Sequence, residues 1–377
     1  MDSVTLATEI KQQAYQLGLH VVGIASAEAF TEVEETLVAR IRAGLMDGLP
    51  WFTEDRARFS SDPHNLMPQA RSLISVAASY LMPESDGGGG GPRGRIARYA
   101  WSRDYHEVLK GRLAQLIEFL HERVPDARCA AIVDTGRLVD RAVARRAGVG
   151  WYGKNTNILT LRYGSWVYLG EILTDIALPP DRPTRRNCGR CTACLVACPT
   201  GALIAPGVID NPRCISFLTI ENRGPIPREL RPLIGDWIFG CDICQEVCPV
   251  NHRAEPAAPG PPVVEARPAL IPLLRLGEEE FRRRFRHTAL ARAKRRGLVR
   301  NVAVALGNVG DLAAVPALGE ALGDEEPIVR GHVAWALGRI GGPAARRHLF
   351  SALAGETDEW VRSEIDLALA ECDEARR

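Results

Sequence analysis

Apolar residues recur along the first part of the chain with two different spacings. Residues 4–17 place leucine, isoleucine and alanine side chains on one helical face, and Gly18 follows as a helix stop. Residues 108–120 repeat this helical spacing. Residues 20–25 and 72–78 are short, continuous apolar runs, which are typical of buried strands. The pattern therefore predicts helices that alternate with buried strands.

Three further elements complete this part of the chain. Residues 129–133 are predicted to form a buried strand that ends just before Asp134. A helix is predicted over residues 138–147, and another strand over residues 165–173. Together these elements predict an α+β or α/β domain that covers residues 1–180.

The end of the chain repeats itself. Ala305, Ala336 and Ala368 are each followed by leucine, and they lie 31 and then 32 residues apart. Small residues beside leucine at such a period indicate stacked helix pairs of the HEAT-like type over residues 269–377. A plain helical bundle is the alternative. Five prolines in residues 253–268 predict a stiff linker ahead of these helices.

Composition limits the class of protein. The 377 residues are 46% hydrophobic and 25% charged, as in a globular protein with two or three domains. There is no apolar run of about 18 residues and no secretory signal at the start, so the sequence predicts a cytoplasmic protein. The net charge of +1 gives no overall indication of a polyanionic partner.

The cysteines indicate metal. Thiols stay reduced in the cytoplasm, so the ten cysteines are not expected to form disulfides. Residues 188–199 have the spacing CxxCxxCxxxCP of bacterial ferredoxins, in which the fourth cysteine binds the other cluster. A second run, at residues 241–249, lacks its first cysteine, and Cys214 is available to replace it. We therefore predict a module of two 4Fe–4S clusters over residues 181–252, with structural zinc as the alternative.

The crossed rule for such modules assigns each cysteine to one cluster. The first cluster is predicted to take Cys188, Cys191, Cys194 and Cys248. The second is predicted to take Cys198, Cys214, Cys241 and Cys244.

Several segments resemble one family in order along residues 1 to about 350. They are WFTEDRARFSSDPHNLMPQARSLISVAASY, RYAWSRDYHEVLKGRL, VDTGRLVDRAVARRAGVGWYGKNTNIL, GSWVYLGEILTD and FGCDICQEVCPVN. They resemble the epoxyqueuosine reductases, which are related to the reductive dehalogenases. The resemblance implies an α+β protein with an N-terminal α/β cobalamin-binding domain, a ferredoxin-like two-cluster module and C-terminal HEAT-like repeats. It also implies reduction of epoxyqueuosine to queuosine in tRNA, with cobalamin reduced by the two 4Fe–4S clusters.

The resemblance places the proton donor at Asp134. An aspartate at the end of a strand can point into a ligand crevice. Its alternative role is the N-cap of the following helix, since Asp accepts hydrogen bonds from free amides there. The family usually has a proline three residues after this aspartate, where this chain has Arg137.

The resemblance also implies a set of cobalamin contacts, for which ordinary packing or surface positions are the alternative. The polar amide groups of a corrin need polar partners, which suits lysine, asparagine and backbone groups. The implied residues are Arg58, Ala97, Arg98, Asp134, Lys154, Asn155, Asn157, Ile158, Leu169, Ser216, Cys241 and Asp242. Arg141 could bind a phosphate or a propionamide, or could lie on a solvated helix face.

Residues 281–300 contain nine lysines or arginines and no acid. Phosphates dominate nucleic-acid affinity, so this cluster predicts a tRNA contact, with a solvated helix face as the alternative. The predicted contacts are Arg282, Arg283, Arg284, Lys294, Arg295, Arg296 and Arg300.

Three functions compete. A tRNA epoxide reductase, acting as a monomer with an external low-potential electron donor, accounts for the clusters, the basic segment and the helical repeats. A cobalamin-dependent reductive dehalogenase-like enzyme would act on small molecules and would not need the last two features. A non-enzymatic electron-transfer protein would not bind cobalamin.

Overall fold

The computed structural model describes residues 2–84, 90–257 and 261–374. The chain divides into two compact units. The first unit consists of Met1–Pro83, Ser102–Pro212 and Ile243–Pro261. The second unit consists of Glu84–Trp101, Arg213–Asp242 and Pro262–Arg377.

Both units are built from discontinuous parts of the chain, whereas the sequence predicts consecutive domains. The proline-rich segment 253–268 contributes to both units, and its residues 258–260 lie outside the described residues. The sequence-based boundaries at residues 180, 252 and 268 remain a prediction.

The strands are short except in one sheet. They are β1 (Val21–Ser26), β2 (Ser72–Ser79), β3 (Arg95–Ile96), β4 (Cys129–Ile132), β5 (Trp151–Tyr152), β6 (Ile158–Leu159), β7 (Val167–Thr174), β8 (Leu203–Ala205), β9 (Val208–Ile209) and β10 (Trp237–Phe239).

The longest helix, α4 (Tyr105–Arg123), belongs to the first unit, and the second unit contains several helices of 12 to 16 residues. The helices are α1 (Ser3–Gln16), α2 (Thr31–Arg42), α3 (Glu54–Ser61), α4 (Tyr105–Arg123), α5 (Asp140–Arg146), α6 (Ala193–Ala197), α7 (Ile215–Ile220), α8 (Arg231–Ile234), α9 (Ile243–Glu246), α10 (Leu270–Leu274), α11 (Glu278–Phe285), α12 (Lys294–Val309), α13 (Val315–Ala321), α14 (Pro327–Ile340), α15 (Gly342–Leu353) and α16 (Glu359–Glu374). None of the helices in the described ranges is both long and apolar enough to cross a bilayer.

The first unit is organised around a four-stranded sheet with the order β1-β2-β7-β4. All three pairings are antiparallel, with Ile74 opposite Ile24 on one side and Ile172 on the other. The antiparallel order places this domain in the α+β class, the first of the two predicted alternatives. The helices and strands predicted from periodicity are confirmed as α1, α4, α5, β1, β2, β4 and β7.

Helices cover both faces of this sheet. Helices α1 and α4 pack on one face, where Ile10, Leu113 and Ile74 belong to one buried apolar cluster. Helix α5 packs on the other face, where Val143 meets Leu73. Successive side chains of a strand point to opposite faces, so every residue of β2 is buried. This double cover explains why β2 is a continuous apolar run in the sequence.

The second unit contains a stack of helices. Helix α14 packs between α12 and α16, and α13 packs against α14 and α15. Ala305, Ala336 and Ala368 are fully buried in this stack. A Cβ added at Gly338 would lie 2.8 Å from Cα of Ala368, so these helices approach closely. The small residues of the repeat therefore permit close helix contact, which confirms the predicted HEAT-like stack.

Candidate active site and cluster-binding cysteines

Asp134 lies in the loop between β4 and α5 of the first unit. Its φ of +42° is in the left-handed region, which an aspartate tolerates better than most residues. The N-cap of α5 is Val139, and no side chain caps that helix. The alternative interpretation of Asp134 as the N-cap is therefore wrong.

The start of α4 holds this carboxylate. The Tyr105 hydroxyl donates to Oδ2 of Asp134 at 2.6 Å, and Nε2 of His106 lies 3.3 Å from the same oxygen. Nδ1 of His106 lies 2.8 Å from Oδ1 of Asp104, which also caps α4. The Tyr105 ring stacks on the His106 ring with 4.1 Å between centroids. The His106 imidazole thus lies between two carboxylates, those of Asp104 and Asp134, and Tyr105 contacts the second of them.

The charges in this network follow from these contacts. The hydrogen bonds that His106 donates to Asp104 and Asp134 raise its pKa to about 9, so this imidazole is protonated at neutral pH. Burial raises the pKa of Asp134, but hydrogen bonds from His106 and Tyr105 outweigh it and leave the pKa lowered. Asp134 is therefore ionised at rest, and its nearest proton donors are His106 and Tyr105.

Two more carboxyl groups lie close enough to Asp134 to interact with its charge. Burial raises the pKa of Asp140 to about 8, and it raises the pKa of Glu171 far above its ordinary value. Within the described residues, Oδ1 of Asp140 and Oε2 of Glu171 have no hydrogen-bond partner. Both carboxyls are therefore neutral around pH 7. The interpretation of the sequence missed them, although Glu171 is a charged residue inside an apolar strand.

A cavity of about 550 Å³ in the first unit is lined by both Asp134 and Asp140. Its wall also includes basic and aromatic side chains from α2, α3, α5, β5 and the loop ahead of α3. These are Arg40, Trp51, Phe52, Arg56, Arg141, Arg145 and Tyr152. The acid at the end of β4 is thus beside a space that could hold a ligand, and Arg141 faces that space.

Four predicted cobalamin contacts lie together in the turn that follows β5 and at the start of β6. Nζ of Lys154 donates to the carbonyl of Gly189 at 2.8 Å, beside the first cysteine run. Nδ2 of Asn155 donates to the carbonyl of Cys244 at 3.3 Å. Its Oδ1 accepts from the Asn157 amide, and Ile158 is buried in β6. This segment therefore contacts the backbone of both cysteine runs.

Another group comes together in the second unit. Oδ2 of Asp242 accepts from the Arg98 amide at 2.6 Å, and Ala97 donates to the Phe239 carbonyl at 2.8 Å. A Cβ added at Gly240 would lie 2.5 Å from Cβ of Ala97. The segment that carries Cys241 and Asp242 therefore packs closely on Ala97 and Arg98.

The remaining predicted contacts lie elsewhere. Arg58 is on α3, where it forms ion pairs with Glu54 and Asp55. Leu169 packs in β7 against the core on the α5 side of the sheet. Ser216 is half-buried in the first turn of α7. The structure does not bring these three side chains into one group.

The ten cysteines, which all lie within the described residues, form no disulfides. In the first unit, burial raises the pKa of Cys194, and the neighbouring thiols of Cys188 and Cys248 raise it further. Helix α6, which carries Cys194, packs against α9, just ahead of Cys248. Members of the predicted first quartet are therefore neighbours. The residues 2–84, 90–257 and 261–374 contain no group of three or more His, Cys, Asp or Glu side chains that could hold a metal ion.

Two predicted RNA contacts are corrected by the structure. Arg295 is 8% exposed and forms a two-pronged ion pair with Asp324. Arg300 is 1% exposed and donates to backbone carbonyls, including that of Leu218 at 2.6 Å. Neither guanidinium is available to RNA, because each is buried and bonded to groups of the protein itself. The other predicted contacts are exposed: Arg282, Arg283, Arg284, Lys294 and Arg296.

Comparison with known families matches three parts of the chain. Residues 61–135 match the family described as epoxyqueuosine reductase QueG. Residues 187–251 match a 4Fe-4S double cluster binding domain. This match supports iron–sulfur clusters as the groups that the cysteines bind. Residues 286–370 match HEAT repeats.

Known proteins are similar over almost the whole chain. The epoxyqueuosine reductase of Bacillus subtilis is 39% identical over 97% of this chain and 96% of its own. That of Escherichia coli is 38% identical over 89% and 90%.

Solved structures agree with these sequence matches. A crystal structure of an epoxyqueuosine reductase with a tRNA-Tyr epoxyqueuosine-modified tRNA stem loop covers 98% of this chain and 99% of its own. It has a TM-score of 0.92 and 37% identity. The Bacillus subtilis enzyme with its catalytic aspartate loop swung out of the active site has a TM-score of 0.89 and 37% identity, over 97% and 99% of the two chains.

Proposed function

The chain belongs to the epoxyqueuosine reductase family, and on this basis we propose that it reduces epoxyqueuosine to queuosine in tRNA. The observation that carries this proposal is Asp134, held by Tyr105 and His106 at the wall of a cavity. We place the reaction in the cytoplasm, where tRNA is found and where free thiols stay reduced.

The proposed cofactors are two 4Fe–4S clusters and cobalamin. The first cluster would be held by Cys188, Cys191, Cys194 and Cys248, and the neighbouring thiols around Cys194 support this set. The second would be held by Cys198, Cys214, Cys241 and Cys244. When bound, these groups would supply the two electrons with which both C–O bonds of the epoxide are broken and its oxygen leaves as water.

The proposed cobalamin contacts keep the set implied by the resemblance. Their support is chemical, since the clustered residues offer amide, ammonium and backbone groups that suit a corrin. The set is Arg58, Ala97, Arg98, Asp134, Lys154, Asn155, Asn157, Ile158, Leu169, Ser216, Cys241 and Asp242.

The residues around Asp134 manage the protons. Loss of the epoxide oxygen as water needs two electrons and two protons. Asp134 donates a proton to the leaving oxygen as a general acid. It is ionised at rest, so it must first receive that proton. Protonated His106 and the Tyr105 hydroxyl are both within hydrogen-bond distance to supply it.

The exposed cations of α11 and α12 are proposed to contact tRNA phosphates. They are Arg282, Arg283, Arg284, Lys294 and Arg296. Arg282 already pairs with Glu278 at 3.0 Å, and Arg296 lies 3.8 Å from Glu326. Arg283, Arg284 and Lys294, which form no ion pair within the described residues, are therefore the stronger candidates.

The test compares wild-type protein with Asp134→Asn after anaerobic reconstitution with iron, sulfide and cobalamin. A strong chemical reductant and epoxyqueuosine-modified tRNA are added, and the product is measured by nucleoside mass spectrometry. We expect Asp134→Asn to lose ~10²-fold or more in turnover, because general acid catalysis contributes this much. Cluster and corrin absorbance should not change in the variant.

Two results would contradict the proposal separately. Full turnover in Asp134→Asn would remove this residue from proton transfer. Absence of queuosine with fully loaded wild-type protein would remove the proposed reaction itself.

A further inference from the structure

The loop that leads into the first cysteine run is strongly basic. Residues 182–209 contain four arginines and no acid. The arginines are Arg182, Arg185, Arg186 and Arg190, and all four side chains are exposed. None of them pairs with an acidic side chain within the described part of the chain. They span nine residues, so they lie within about 30 Å of one another even if the loop is fully extended.

This loop is held in place at several points. At its start, Asp181 forms an ion pair with Lys11 at 2.7 Å and accepts from the Ile24 amide. Further along, Oδ1 of Asn187 accepts from the Gly189 amide at 2.8 Å. Lys154 donates to the Gly189 carbonyl and adds a fifth cation beside the turn. The positive charges are therefore displayed on an ordered surface.

Apolar side chains and a cluster ligand are exposed in the same region. Val196, in the helix between Cys194 and Cys198, is 83% exposed. Ile204, in β8, is 51% exposed, and the Cys191 thiol is also exposed. Helix α6 packs against β8, so Val196 and Ile204 belong to adjacent elements. Exposed apolar groups beside unpaired charges are typical of a surface that binds a protein partner.

We propose that this surface docks an acidic electron-carrier protein and receives electrons at the cluster held by Cys188, Cys191, Cys194 and Cys248. We name it the cationic docking face and define it by Arg182, Arg185, Arg186, Arg190, Val196 and Ile204. Each encounter transfers one electron: the carrier is oxidised and the cluster is reduced, with no proton moved. Two encounters supply the two electrons that one epoxide needs, so the inference rests on the proposed function.

The chemistry of the face favours a protein over RNA. Phosphates would satisfy the arginines but would leave Val196 and Ile204 exposed to water. An acidic protein with an apolar contact patch would satisfy both, and weak redox encounters bury small interfaces of this kind. Opposite charge also accelerates association, which suits a carrier that must bind and leave twice in each turnover.

The test uses a strongly acidic plant-type 2Fe–2S ferredoxin as the probe and the fully reconstituted protein. The variant is Arg185→Glu/Arg186→Glu/Arg190→Glu. The control is Arg339→Glu/Arg347→Glu, which reverses two exposed arginines on α14 and α15, away from this face in the chain. Calorimetry measures the affinity for oxidised ferredoxin, and stopped-flow absorbance measures how fast reduced ferredoxin reduces the clusters.

We expect the variant to lose 10-fold or more in ferredoxin affinity and association rate at low ionic strength. The wild-type rate should fall as salt rises to about 0.3 M, because screening shortens the range of these charges. Turnover driven by dithionite should not change, and the control variant should behave as wild type.

Three outcomes would overturn the inference. Unchanged ferredoxin binding and cluster reduction would show that the face is not the docking site. Loss of tRNA affinity with unchanged ferredoxin kinetics would assign the face to RNA. If the triple variant loads its clusters poorly, Val196→Ser is measured instead, and unchanged ferredoxin affinity there would have the same meaning. Dithionite-driven turnover tests the proposed reaction independently of the face.

Discussion

Replacement of His106 by glutamine tests the charge network around Asp134. The imidazole lies between Asp104 and Asp134, and these two carboxylates raise its pKa from 6.5 to about 9. This rise corresponds to ~3 kcal/mol of favourable interaction, at about 1.4 kcal/mol for each tenfold change in proton affinity. The His106 side chain is 24% exposed, so solvent screening reduces the expected value to ~2–3 kcal/mol.

The sign of the pH dependence follows from the direction of the shift. The folded-state pKa is raised, so the stabilisation is fully present below pH 6.5 and is lost as the pH rises through about 9. We therefore expect His106→Gln to destabilise the protein by ~2–3 kcal/mol at about pH 6 and by much less at about pH 10. Glutamine retains hydrogen-bonding capacity but carries no charge at either pH.

The assay is urea unfolding of the reconstituted protein at both pH values, followed by tryptophan fluorescence. His121→Gln is the control, because His121 lies on the same helix and its ring contacts the Ala127 carbonyl, with no carboxylate partner among the described residues. If the free energy of unfolding differs between wild type and His106→Gln by the same amount at both pH values, the charged interaction is refuted. Turnover should also be lower in His106→Gln and should lose the decline above about pH 9 that we expect of wild type.

Two further perturbations address the second unit. Glu364→Gln leaves the buried guanidinium of Arg231 without its charged partner, and we expect a loss of ~3–5 kcal/mol in the free energy of urea unfolding. A loss under about 1 kcal/mol would contradict this. Arg283→Glu/Arg284→Glu should weaken tRNA binding and reduce the slope of log affinity against log salt by about 1.5–2, measured by filter binding. Unchanged affinity would place the RNA on another surface.

Local patterns were sufficient to predict the strands of the central sheet, three of the helices that pack around it, and the helical repeat at the end of the chain. The continuous apolar run of β2 indicates a buried strand, and the periodic leucines of α4 indicate an amphipathic helix. The cysteine spacing is also a local signal, because three thiolates that bind one cluster must be close in the chain. The alanine–leucine repeat indicates stacked helices, because only small side chains permit the close approach seen at Gly338.

Charged residues were the main source of error. Nine cations without an acid between residues 281 and 300 indicate a basic surface. Arg295 and Arg300 nevertheless point into the interior, where Asp324 and backbone carbonyls receive them. These partners lie elsewhere in the chain, so the composition of residues 281–300 does not predict them.

The sequence by itself determined several of the helices and strands and the segments that resemble a family, and it predicts how the cysteines divide into two sets. Only the tertiary structure decided the strand order β1-β2-β7-β4 and the burial of Glu171. It also decided that His106 forms hydrogen bonds with both Asp104 and Asp134. The physical reason is that periodicity reports how a segment meets its immediate neighbours in the chain. Strand pairing and the pKa of a carboxyl depend on groups that folding brings from far along the chain.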